Sequence, residues 1–173
     1  IATPDAFEID TAVTTASARL RASPNGNVVS VLPTEATLAL ISREQRDGWL
    51  QVIDIESGEH GWVHESVLRL QFVSTPPRAE IFTAQPTETN SPPEVRVRNK
   101  SNRTIWLMVG DETHAISAGG DLRVELAAGP YRYIAWAPGV IPAMGSQQFQ
   151  KANAYTWEFW IETRYGLGRR KRR

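Results

Sequence analysis

The apolar residues of this chain fall in short runs separated by turn residues, a pattern that predicts strands rather than helices. Two of these runs open with the same pair. Gly48-Trp49 leads into Leu50-Gln51-Val52, and Gly61-Trp62 leads into Val63. The segment between them, Asp54 to His60, is turn-rich, so the two runs are predicted to form a hairpin that shows a tryptophan from each strand.

Short strands also fill the rest of the first half. Ala12 to Thr15, Val28 to Leu32, Thr37 to Ile41 and Arg69 to Val73 are rich in β-branched and aliphatic residues. Pro24-Asn25-Gly26 forms the tip of the loop between Leu20 and Val28. Arg43 to Asp47 reads as a polar turn, and His64 to Leu68 as one helical or 3₁₀ turn. Five or six strands in about sixty residues favour a small closed barrel over an open sheet, because closure removes exposed edges.

Four elements of this half resemble a known family. Ala18 to Asn25 (ARLRASPN), Val28 to Pro33 (VVSVLP), Asp47 to Val52 (DGWLQV) and Gly61 to Leu68 (GWVHESVL) are similar, in order and spacing, to the bacterial SH3-like (SH3b) domain. The resemblance covers residues 9–72. It implies a small SH3-like barrel, whose usual ligand in that family is cell-wall peptide or glycan. One departure stands out: the first loop offers Arg19, Arg21, Pro24 and Asn25 but none of the aromatics that often complete a ligand groove there.

Residues 73–93 hold five of the eleven prolines and read as a semi-stiff linker, with Ile81-Phe82 able to dock as a short strand. Strand patterns return over 94–165. Val95 to Arg98, Thr104 to Val109, Glu112 to Ile116, Leu122 to Leu126, Tyr131 to Ala137, Ser146 to Gln150 and Tyr155 to Ile161 make seven, with Gly110-Asp111 as a hairpin turn. Seven short strands predict an immunoglobulin-like β-sandwich, so the chain as a whole is expected to be all-β with two domains. Leu126 to Ala137 (LAAGPYRYIAWA) and Tyr155 to Trp160 (YTWEFW) resemble small sandwich domains of bacterial extracytoplasmic proteins, a likeness that carries no assigned chemistry.

Charge modifies this picture in one way. The formal net charge is zero, but 1–72 carry 5 basic and 10 acidic side chains, whereas 73–173 carry 14 and 9. The basic tail, 166–173, includes Arg169 to Arg173 and accounts for the whole of that second excess. Neither half is a polycation, so no nucleic-acid partner is expected. The absence of cysteine excludes disulfides, thiolate metal sites and a cysteine nucleophile. A start at Ile1 rather than Met reads as a processed or trimmed chain, with room for a signal or membrane anchor upstream.

The candidate ligand contacts are Trp49, Trp62, Arg19 and Arg21 in the first half, and Trp106 and Trp160 in the second. Indole planes can stack on sugars or peptide groups, and arginines beside them can hold carboxylates. The competing expectation is that Trp49 and Trp62 are simply packing, since aromatics are primarily buried mass. On the last strand Tyr155, Trp157, Phe159 and Ile161 share the face expected to be core, which leaves Trp160 outward among carboxylates. Trp106 falls opposite Ile105, Leu107 and Val109, so an outward Trp106–Trp160 pair is expected as a carbohydrate platform or, in preference, an interdomain contact. His60, His64 and Glu59 lack the ligand number and spacing of a metal site. No nucleophile, phosphate-loop or dinucleotide motif occurs, so neither catalysis nor a cofactor is expected. Two glycosylation-type triplets, Asn99-Lys-Ser101 and Asn102-Arg-Thr104, read as chance. The expected function is a non-enzymatic, extracytoplasmic binding or targeting module of the cell envelope. The alternative is the protein-interaction or sensor region of a membrane-anchored protein.

Overall fold

The structure, a computed structural model, describes residues 8–74, 80–87 and 90–161. The expected basic tail at 166–173 lies outside these residues. The chain is all-β, and among the described residues no helix is long and apolar enough to cross a membrane.

The first region forms one sheet from β1 (Glu8–Thr14), β2 (Ala18–Arg21), β3 (Val28–Leu32), β4 (Thr37–Leu40), β5 (Trp49–Asp54), β6 (His60–His64) and β7 (Leu68–Ser74). A single 3₁₀ turn, Glu65–Val67, separates the last two. The strands lie in the order β3-β2-β6-β5-β4-β1-β7, every neighbour antiparallel. Alternation explains its core: Leu50 and Val52 of β5 point inward, as do Val63 of β6, Leu20 of β2 and Leu38 and Leu40 of β4. Because residues from β1 to β6 all enter one cluster, the sheet curls over its own inner face. Gly61 lets the curl close. A Cβ there would stand 2.5 Å from the Arg21 carbonyl oxygen, so any larger residue would push β6 away from β2.

The second region begins earlier than its sequence suggests. Residues 80–86, inside the stretch that reads as a linker, form the strand β8 (Glu80–Pro86). Seven more strands follow: β9 (Glu94–Asn99), β10 (Ile105–Val109), β11 (Glu112–Ile116), β12 (Asp121–Glu125), β13 (Gly129–Trp136), β14 (Ala143–Phe149) and β15 (Asn153–Phe159). They make two four-stranded sheets, β11-β10-β13-β14 and β12-β9-β15-β8. All neighbours are antiparallel except β9 and β15, which run parallel. The expected seven strands are present, and β8 is an eighth that pairs with β15 from Asn153↔Pro86 to Phe159↔Glu80. Its proline is tolerated because β8 is an edge strand and Pro86 ends it. Its Phe82 gives the strand a reason to dock, stacking on Tyr155 at 5.1 Å and meeting Trp157 edge-on at 5.6 Å.

The two sheets share a core with a heavy aromatic content. Tyr133, Phe149, Tyr155, Trp157 and Phe159 are all buried, and Tyr133 meets Trp157 in a T-shaped contact at 4.6 Å. Tyr155, Trp157 and Phe159 therefore take the inward positions that alternation predicts, with Ile161 packed against the same cluster. Asn99, also buried, locks the β9–β10 connection. Its Nδ2 donates to the carbonyls of Arg103 and Ile116, at 2.6 and 2.9 Å, while its Oδ1 accepts from Ser101. That triplet is a structural clasp.

A third cluster joins the regions. Ala39, Ile41 and Ile53 from the first sheet pack on Ile134 and Trp136 of β13, with Ile55, Trp106, Met108 and Met144 around them. Two directional bonds fix the contact: the Trp136 indole N–H donates to the Gly58 carbonyl at 2.9 Å, and the Gly139 N–H donates to the Ile55 carbonyl at 2.7 Å. Gly58 is needed here for both its shape and its φ of +77°, since an added Cβ would meet Pro138 Cγ at 3.0 Å.

Candidate binding cleft

The outward face of the β5–β6 hairpin carries two rows. Trp49, Gln51 and Ile53 on β5 stand opposite His64, Trp62 and His60 on β6. The second region covers one end of these rows: Ile53 enters the joint, and the His60 ring meets Trp136 edge-on at 5.6 Å. The other end is open, and both Trp49 and Trp62 are half-buried there.

Local backbone rules set this end. Asp47 and Gly48 both have positive φ, +51° and +80°, and Arg46 and Trp49 exchange both backbone hydrogen bonds across them at 2.9 Å. Asp-Gly is a preferred pair for such a two-residue hairpin turn. The turn holds Arg46 beside the tryptophans, with its guanidinium 5.3 Å from the Trp62 ring centre. On the neighbouring strand Arg21 pairs with Trp62. The Arg21 guanidinium lies 5.9 Å from the Trp49 ring centre and donates to the Gly26 carbonyl at 2.7 Å. His64 meets the Trp49 ring edge-on at 5.3 Å, and its Nδ1 is 2.8 Å from Ser66 Oγ.

Trp49, Arg21 and His64 line an open cleft of about 470 Å³ together with Arg19, Val31 and Val67 among others. Among the described residues, Arg19, Arg21 and Arg46 make no salt bridge, although the region that carries them is acidic as a whole. A cation held against an indole face and left without a carboxylate can take one from a ligand, while the ring takes a flat or apolar group. Among the described residues no three His, Asp or Glu side chains converge to hold a metal.

Three of the six residues singled out from sequence thus line one cleft, Trp49, Arg19 and Arg21, and Trp62 stands beside it as the cross-strand partner of Arg21. The other two do not join them or each other. Trp106 lies on β10 with its outward side against the joint, whereas half-buried Trp160 follows β15 in the opposite sheet. Stacking the two sheets core to core points their outer faces in opposite directions, so the expected Trp106–Trp160 pair does not form. Arg46 and His64 also stand against these tryptophans, although the sequence pattern does not single them out as ligand contacts. The signal for Arg46 is present in Arg46-Asp47-Gly48-Trp49, a tight turn that must bring its flanking residues face to face. Compared with known proteins, the chain matches no family model, no curated protein and no solved structure.

Proposed function

We propose that the chain is a non-enzymatic binding module of the bacterial cell envelope, working outside the cytoplasm. In this reading residues 9–72 are an SH3-like barrel, a description supported by seven antiparallel strands curled over one aliphatic core. The two facing sheets are an immunoglobulin-like sandwich that carries the barrel and holds its orientation. The barrel takes cell-wall peptide or glycan in the Trp49 cleft. One observation carries the proposal: half-buried Trp49 lines an open cleft with Arg19 and Arg21, next to the Trp62–Arg46 pair, and among the described residues no carboxylate neutralises these three arginines. Buried mass alone gives no reason for that arrangement, because rings used only for packing belong inside.

Co-sedimentation with purified peptidoglycan tests it. The chain should be retained at low salt, and Trp49→Ala in a still-folded protein should release most of it. Failure of the unaltered chain to sediment with the wall would remove the proposal.

A further inference from the structure

β3 is the outermost strand of its sheet. It pairs with β2 on one side, and among the described residues no strand pairs with its other side. Such an edge is a template for a further strand, and proteins guard edges with charge, proline or a local twist. The sequence of β3, Val-Val-Ser-Val-Leu, contains neither charge nor proline. Its guard is a bulge at one end, where the register against β2 shifts between Leu20 and Arg21. Beyond the bulge, Ser30, Val31 and Leu32 keep regular register with Leu20, Arg19 and Ala18. Val31 is 63% exposed, and it also borders the Trp49 cleft. Edge and cleft are therefore continuous.

We propose that the free edge of β3 and the Trp49 cleft form one site for an extended acidic peptide, whose backbone adds to β3 as another strand. The inference rests on the binding-module reading and narrows its ligand from peptide or glycan to peptide. A residue of the added strand opposite Val31 shares an outward face with Val31 and with its cross-strand neighbour Arg19. Valine is short, so a carboxylate at that position reaches over it to the exposed Arg19, which makes no salt bridge among the described residues. The short edge provides few backbone bonds, and contacts to Trp49 and Arg21 supply the rest. A second copy of this chain would bring to β3 only an uncharged Val-Val-Ser-Val-Leu strand with no carboxylate for the arginines, so they favour an acidic peptide over self-pairing.

The test uses the full chain and a blocked hexapeptide of alternating valine and glutamate, followed by amide NMR and hydrogen exchange. The peptide should shift the amides of Ser30 to Leu32 and slow their exchange. Arg19→Gln, or lysine in place of glutamate in the peptide, should weaken binding about tenfold. Two further peptides carry N-methyl groups on alternate amides, one for each edge. Only the version that blocks the edge facing β3 should fail to bind. Equal binding by both versions, unchanged β3 amides, or a dimer formed through β3 in sedimentation would each overturn the proposal. Wall co-sedimentation run in parallel keeps the two readings apart. A chain that sediments with peptidoglycan but ignores the peptide at about 1 mM loses the strand addition alone, whereas a chain that does neither loses both. A chain that binds the peptide but not the wall keeps the strand addition and loses the wall ligand.

Discussion

The two regions of this molecule sort their aromatic residues in opposite ways. Behind the two facing sheets, tyrosine, phenylalanine and tryptophan form the centre of the core, ring against ring. The core cluster of the curled sheet contains only alanine, valine and leucine among the described residues, and its two tryptophans stand on the outer surface. A small curled sheet has little interior volume, and aliphatic side chains from six strands already fill it. The tryptophans of that region therefore stay outside its core, whereas Trp157 and its neighbours make up the core of the other. Trp136 belongs to neither group: it is fully buried, yet what buries it is the other region.

This contrast can be broken by substitution. The largest effect is expected for Trp157→Ala, which empties the centre of an aromatic cluster and should cost about 3–5 kcal/mol in urea or thermal unfolding. Gly58→Ala comes next. It strains a backbone at φ +77° and drives a methyl group against Pro138, so it should loosen the joint by about 1–2 kcal/mol. The readout is faster exchange of the Trp136 indole N–H and the Gly139 amide, with little change in the aromatic core. Trp49→Ala and Trp62→Ala should each cost about 1 kcal/mol or less in the same unfolding assays while reducing wall binding. A loss as large as that for Trp157 would place these rings among the packing residues and end the comparison.

The smallest effect concerns pH. Arg43 grips the Asp10 carboxylate through both Nε and Nη2, and that hydrogen bonding holds the carboxyl below its usual range, with burial opposing and the arginine charge assisting. A depressed folded-state pKa gives stability that is complete above the ordinary carboxylate value and is lost as pH falls through the depressed one. Arg43→Gln should thus cost about 0.5 kcal/mol or less at neutral pH and less still once Asp10 is protonated in both states. Denaturant midpoints at pH 7 and pH 2 would check this.

What could be read from the sequence divides along similar lines. The alternation of Tyr155, Trp157 and Phe159 announces an inward face, and the core takes all three. The paired Gly-Trp runs announce the hairpin, and the register places both tryptophans on its outer side. β8 is harder to see because prolines crowd its surroundings and its partner strand lies at the far end of the region. The joint is legible only in retrospect. Tyr133 to Ala137 are buried without a break, the sign of a strand covered on both faces, but only the partner surface reveals what covers the outer one. The cationic side of the cleft needs Arg19 and Arg21 of β2 brought beside Trp49 of β5, near the turn that holds Arg46, and no local pattern encodes that proximity.

The place of β15 also sets an order of assembly. It lies inside its sheet, antiparallel to β8 on one side and parallel to β9 on the other. Among the described residues β8 has no other neighbour, so it has nothing to pair with until β15 leaves the ribosome. The curled sheet draws all its partners from residues 8–74 and can close while the remainder is still being made. Synthesis therefore delivers the cleft first, and the aromatic core that will anchor it comes together only with β15.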